Sequence, residues 1–153
     1  GSTFTVLLPR AFGAGAGDEE SRLPAAWQGA DEVVLVVDDE PAVRTLVSRV
    51  LRRAGYRVLE AGSPLKALDV AGRHDGVIEL ILTDVVMPQM SGRELAERVR
   101  TMRPDTRVVF MSGYVEEALR HEDVLASGGA FLPKPFTPDA VCRLVAAVLG
   151  RAV

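Results

Sequence analysis

The sequence predicts a doubly wound α/β domain running from about residue 31 to residue 153, and three observations predict it. Short, continuous apolar runs recur five times, each too short for a helix. Segments with apolar residues at helical spacing alternate with them. Proline, glycine, serine or threonine punctuates most of the boundaries. Strands alternating with helices in this way imply a parallel sheet, covered on both faces and joined by right-handed crossovers.

The elements follow in order. Val33–Val37 (VVLVV) reads as the first strand. The helix after it carries Val43, Leu46, Val47, Val50 and Leu51 on one stripe, with Pro41 near its start and Gly55 just past its end. Tyr56–Ala61 is the second strand, and Ser63-Pro64 opens a helix with Leu65, Leu68 and Ala71 inward. Ile78–Thr83 is the third strand, followed by a helix marked by Leu95, Val99 and Met102. Arg107–Met111 is the fourth strand, and Val115–Leu125 reads as a weaker helix. Ala130–Pro133 is the fifth strand, and Thr137-Pro138-Asp139 caps a last helix with Val141, Leu144, Val145, Val148 and Leu149 on its buried side.

Composition narrows the function classes. The 153 residues are 48% hydrophobic and 25% charged, ordinary globular values that argue against wholesale disorder. The one cysteine, Cys142, allows no internal disulfide, reads as a packing residue and fits a reducing, cytosolic setting. A net charge of −3 supplies no general basic character to attract nucleic acid or an anionic membrane. The apolar runs fall far short of the roughly 20 residues a bilayer span needs, and the N-terminus does not read as a signal peptide. Residues 11–30 read as a flexible Gly/Ala-rich linker. Trp27 stands out there, as an aromatic that tucks onto the nearest domain or, alternatively, meets a partner.

The chemistry lies in what ends each strand. Ligands of such sheets sit at the carboxyl ends of the strands. There the first strand runs into Asp38 and Asp39, the third into Asp84, the fourth into Ser112 and the fifth into Lys134. Each alone has a bland reading, as a helix cap, turn former or solvated charge. Jointly they assemble three carboxylates, a hydroxyl and an ammonium at one end of the sheet. Three carboxylates repel unless a cation joins them, and hard oxygen ligands suit Mg²⁺. One carboxylate is then placed to attack phosphorus, while the metal, Lys134 and Ser112 each take an oxygen of the transferred group.

The segments VVLVVDDEPAVR, LILTDVVMPQMSGRELAERVR, VVFMSGY and AFLPKPFTPDAV together resemble the receiver domain of bacterial two-component response regulators, over about residues 31–150. The resemblance implies a flavodoxin-like sheet of strand order 2-1-3-4-5 with five helices. It implies that Asp84 accepts a phosphoryl group from a phosphohistidine, on a histidine kinase or a histidine phosphotransfer protein, and that the domain catalyses its own phosphorylation and dephosphorylation. It implies Mg²⁺ held by Asp38, Asp39, Asp84 and the backbone carbonyl of Val86. Ser112 and Phe131 match the switch positions, Lys134 the family's lysine, and Lys134-Pro135 a cis-proline site. On phosphorylation the Ser112 hydroxyl is drawn inward, Phe131 follows, and the face formed by the fourth helix, fifth strand and fifth helix changes its preference for partners, a homodimer among them. The bulky Val86 and Tyr114 flank the acceptor pocket and are expected to restrict the hydrolytic water.

The first ten residues resemble the closing strand of a histidine-kinase ATP-binding domain: GSTFTVLLP alternates Phe4, Val6 and Leu8 and ends in Leu-Pro. On that reading the chain is the C-terminal receiver of a hybrid sensor kinase whose parent could be membrane-anchored. A free-standing regulator, with Gly1-Ser2 as a cloning remnant, is the alternative. A haloacid-dehalogenase-like phosphatase is disfavoured, because two residues after Asp84 stands Val86 where that chemistry needs a second aspartate. A pure interaction module would not need Asp84, Asp39 and Lys134 together. His74 and His121 read as surface histidines. Only Arg151–Val153 follow the last helix, so a DNA-binding domain is not expected.

Overall fold

A computed structural model of the chain describes residues 24–113 and 129–150. Its elements are β1 (Val33–Val37), α1 (Pro41–Arg53), β2 (Arg57–Ala61), α2 (Pro64–Arg73), β3 (Leu80–Asp84), α3 (Gly92–Met102), β4 (Arg107–Ser112), β5 (Ala130–Pro133) and α4 (Pro138–Val148), preceded by a short 3₁₀ turn at Ala25–Trp27. The five strands form one parallel sheet of order β2-β1-β3-β4-β5. This is the expected doubly wound architecture. Four of the five expected helices are present; the one read at Val115–Leu125, with Tyr114 and His121, lies outside the described residues.

Alternation along the central strands divides the core into two layers, since successive side chains point to opposite faces. Val33, Leu35, Val37, Ile81, Val108 and Phe110 meet α2 and α3 through Ala67, Ala71, Leu95, Ala96 and Val99. Val34, Val36, Leu80, Leu82, Val109 and Met111 meet α1 and α4 through Val47, Leu51, Val141, Cys142 and Val145. Every residue of β1 is buried, which is why it reads as an unbroken apolar run. β2 alternates less because it is an edge strand, with Arg57 and Glu60 exposed.

The helices start where the sequence signals them. Ser63, Ser91 and Thr137 each accept a hydrogen bond from the backbone N–H three residues on, at 3.1–3.2 Å. Pro41, Pro64 and Pro138 occupy the first helical position. Gly55, just past α1, has φ of +98°, a conformation that glycine adopts without strain.

Several boundaries and inward faces differ from expectation. Tyr56 and Ile78 are buried but precede their strands, whereas Asp84 and Ser112 are the last residues of theirs. Leu46, Leu65 and Met102 are exposed, at 47%, 55% and 45%. On α1 the buried stripe centres on Val47 and Leu51, leaving Leu46 at its margin. On α2 the inward positions belong to Pro64, Ala67 and Ala71, one position out of phase with Leu65. Met102 sits in the last turn of α3, beyond the buried Leu95, Ala96 and Val99.

Residues 24–30 also depart from the flexible linker expected there. Trp27 is half-buried against the α1–α4 layer, with the Arg143 guanidinium 5.7 Å from its ring centre. The Gly29 amide donates to the Ala54 carbonyl at 2.6 Å. A Cβ on Gly29 would fall 2.6 Å from the Tyr56 ring, so only glycine lets the strap lie this close.

Candidate functional site

The carboxyl ends of β1 and β3 lie side by side because the two strands pair directly. One oxygen from each of Asp38, Asp39 and Asp84 falls within 4.8 Å of the others. Lys134, just beyond β5, reaches across from the other side of the sheet. Its Nζ lies 3.4 Å from Asp38 Oδ2 and 3.5 Å from Asp84 Oδ1. The open cleft above them is also lined by Val86, Met87, Pro88 and Gly113.

Each acid has a distinct setting. Asp38 is fully buried, and its Oδ1 accepts from the Glu40 amide at 2.8 Å, a short turn that leads into α1. Asp39 is exposed at the cleft mouth. Asp84 is half-buried, and its Oδ1 accepts from the Val85 amide at 3.0 Å. Burial pushes the Asp84 carboxyl up to about 6; Lys134 opposes the shift and Asp38 adds to it. For Lys134, burial works against the ammonium, but the carboxylates of Asp84 and Asp38 outweigh it and hold the pKa above the usual lysine value.

The other expected positions are arranged around this cluster. Ser112 is buried at the end of β4, and its carbonyl accepts from the Lys134 amide at 2.7 Å. Phe131 is half-buried on β5, in register with Phe110 and packed on the α2–α3 layer. The Lys134-Pro135 peptide bond is cis. Val86 is half exposed on the cleft wall. Cys142 is buried, and burial pushes its thiol up to about 11, as suits an unreactive packing residue.

Sequence reading missed three supporting residues. Thr83, fully buried, donates its hydroxyl to the Asp84 carbonyl at 3.0 Å. Arg44 on α1 donates to the Asp38 carbonyl at 2.8 Å. Gly92 opens α3 so close to the acceptor strand that a Cβ there would stand 2.0 Å from the Asp84 carbonyl oxygen. A glycine right after the capping Ser91 was the available signal for the last of these.

The family model for the response regulator receiver domain matches residues 34–146. The chain belongs to that family. Receiver domains take phosphoryl groups from histidine kinases or phosphotransfer proteins. The sensor kinase CckA of Brucella abortus is 34% identical over 99% of this chain, which spans 17% of that kinase. The sporulation initiation phosphotransferase F of Bacillus subtilis is 30% identical over 72% of this chain and 88% of its own. Among solved structures, the receiver domain of the hybrid histidine kinase CckA matches with a TM-score of 0.65 and 34% identity, covering 76% of this chain and 98% of that one.

The acidic cluster is the pocket at which receivers bind Mg²⁺. The donor set fits such an ion: it is all hard oxygen, its three carboxylates outnumber the one ammonium, and Asp39 is open to solvent. No helix among the described residues is long and apolar enough to cross a membrane.

Proposed function

We propose that this receiver takes a phosphoryl group from a phosphohistidine onto Asp84 and relays it as a conformational signal. One observation carries the reading: three carboxylates from the ends of two neighbouring strands face a single ammonium that spans two of them. An Asp84 oxygen attacks phosphorus, the P–N bond to the donor imidazole breaks, and the imidazole leaves with its electron pair and takes up a proton. Asp84 is half-buried yet held by only one backbone amide, so an oxygen remains directed toward the cleft.

Asp38, Asp39, Asp84 and the Val86 carbonyl would hold Mg²⁺, which when bound supplies charge stabilisation for the phosphoryl oxygens. Lys134 offers a second positive charge from the opposite side. As the phosphoryl group arrives, its ammonium moves from sharing two carboxylates to pairing with a phosphoryl oxygen. The Ser112 hydroxyl, at the end of the neighbouring strand, takes another. Movement of Ser112 frees room for Phe131, which is only half-buried, and the β5–α4 surface changes accordingly.

Alignment with the sensor kinase extends over 99% of the chain, well beyond the family match at residues 34–146. That extent supports an origin as the receiver of a hybrid kinase, with residues 1–10 as kinase sequence; a cytoplasmic location is part of the same reading. The test is mass spectrometry after incubation with acetyl phosphate and Mg²⁺. The wild-type protein gains one phosphoryl mass and Asp84→Asn gains none. Equal labelling of both proteins moves the acceptor elsewhere.

A further inference from the structure

Arg44 is placed to act on the acidic pocket without touching anything bound there. It sits on the first turn of α1, and its side chain turns back toward the end of β1. There Nη1 donates to the Asp38 carbonyl oxygen at 2.8 Å. Nε lies 3.7 Å from Glu60 Oε1 on β2, and the other Glu60 oxygen lies 3.0 Å from Arg52. A Cβ on Gly62 would come within 3.0 Å of the same Nη1, so the guanidinium fills the space a side chain at residue 62 would take. The Arg44 side chain is 22% exposed.

The carbonyl that Arg44 holds belongs to the Asp38–Asp39 peptide. Fixing its oxygen fixes the plane of that peptide and the Asp39 Cα that lies in it, leaving rotation about the Asp39 N–Cα bond as the backbone freedom that aims the Asp39 side chain. Asp38 is already buried and locked by the Glu40 amide. Asp39 is the exposed acid of the three, and so the one whose orientation depends most on its backbone. We propose that Arg44 is a positioning residue for the divalent-cation pocket, holding Asp39 in register with Asp38 and Asp84 through the Asp38 carbonyl. The inference rests on the reading of the acidic cluster as a cation site. A planar, forked guanidinium serves this role because its donors sit on separate atoms in fixed directions. Nη1 meets the Asp38 carbonyl while Nε faces Glu60, a spread that the single nitrogen of a lysine does not reproduce.

The sign of the effect separates positioning from bulk electrostatics. Removing a positive charge near a cation site strengthens cation binding simply by relieving Coulomb repulsion. Loss of a positioning residue weakens it, by about tenfold, the low end of what outer-shell partners of metal sites contribute. The experiment is Mn²⁺ binding by the full chain, followed by electron paramagnetic resonance and displaced with Mg²⁺. It compares wild type, Arg44→Ala, Arg44→Lys and Arg49→Ala, a neighbouring exposed arginine. Arg44→Ala and Arg44→Lys are both expected to bind Mn²⁺ several-fold more weakly, although the lysine keeps the charge. Arg49→Ala is expected to bind as wild type or slightly more tightly. Wild-type or tighter binding by Arg44→Ala, with Arg44→Lys unchanged, overturns the inference. If Arg44→Ala does not fold, the charge-conserving Arg44→Lys decides the matter. Absence of Mn²⁺ binding by the wild type, or no loss on Asp39→Asn, instead overturns the reading of the pocket itself.

Discussion

The Lys134 ammonium stands 3.5 Å from Asp84 Oδ1 while that carboxyl's pKa is nonetheless raised to about 6. Desolvation and the neighbouring Asp38 therefore outweigh the attraction of the one cation within reach. The pocket holds more negative charge than it can neutralise from its own residues. That excess favours binding of a metal and makes the ionised Asp84 a cost to the metal-free fold.

The cost has a pH signature. A carboxyl whose folded pKa is raised binds more protons in the native than in the unfolded state between about pH 4 and 6. Its favourable contribution is complete below the unfolded value and is lost as pH rises through the folded one. Asp84→Asn, which cannot ionise, should thus be more stable than wild type above pH 6, by about 1–3 kcal/mol in EDTA. The two proteins should converge near pH 4. Urea denaturation at pH 8, 6 and 4 measures this, and saturating Mg²⁺ should narrow the advantage at pH 8 by stabilising the wild type more than a variant that has lost one carboxylate ligand.

Lys134→Met removes the ammonium and leaves the acids in place. Phosphorylation by acetyl phosphate should slow by about 100-fold, the usual loss when one preorganised donor to a developing anion is deleted. Mg²⁺ affinity should rise modestly, because the cation that competes for Asp38 and Asp84 among the described residues is gone. Stopped-flow phosphorylation and a Mg²⁺ titration read the two effects separately. A parallel fall in both would assign Lys134 to folding of the pocket rather than to stabilising the transferred group.

Two glycines near helix ends should respond in opposite senses to alanine. Gly92→Ala drives a methyl into the Asp84 carbonyl, which must shift along with the start of α3. The expected loss is about 2–3 kcal/mol of stability, together with impaired phosphorylation. Gly72, in the last turn of α2, has open space where its Cβ would go. Gly72→Ala should stabilise by about 0.5 kcal/mol and leave phosphorylation unchanged. Denaturation midpoints for the pair test whether close approach of α3 to the acceptor strand is a structural requirement.

The strands and their carboxyl-end acids were legible because each leaves a local trace. β1, β3 and β4 are buried on both faces, so they read as unbroken apolar runs, and a charge at the end of such a run is conspicuous. Arg44 and Thr83 leave no such trace, and Gly92 leaves only a glycine beside a helix-capping serine. Each works through a backbone carbonyl, and an arginine on the polar side of a stripe looks like any solvated charge. The α2 stripe was misplaced for a related reason: its inward face uses Ala67 and Ala71, whose small side chains carry less periodic signal than the exposed Leu65. Gly29 was read as linker because glycine and alanine dominate its surroundings, although it packs on Tyr56; Trp27 stood out as an aromatic that tucks onto the domain, and it does so beside Arg143.

That docked strap predicts a stability effect separate from chemistry. Trp27→Ala removes a half-buried ring and its contact with Arg143, and should cost about 1–2 kcal/mol. Trp27 lies on the α1–α4 layer, and none of the residues lining the cleft belongs to the strap. Phosphorylation by acetyl phosphate should therefore proceed at the wild-type rate under conditions where the variant is folded. Thermal denaturation beside the labelling assay distinguishes the two consequences.

Val86 governs the other side of the reaction. It is half exposed on the wall of the cleft, beside the Asp84 carboxyl that would carry the phosphoryl group. Hydrolysis needs a water in line with the P–O bond, and an isopropyl group there both occupies space and offers that water no hydrogen bond. Val86→Asn keeps the backbone carbonyl proposed as a metal ligand while supplying an amide that can hold the water. Dephosphorylation should accelerate, by about tenfold if one positioned hydrogen bond is gained, as about 1.4 kcal/mol off the barrier implies. The rate of phosphorylation should change much less, because the attacking oxygen belongs to Asp84 and needs no water. Following the decay of the phosphorylated protein after removal of the donor measures the lifetime directly. Equal decay in the two proteins would mean that the hydrolytic water approaches from a direction Val86 does not cover.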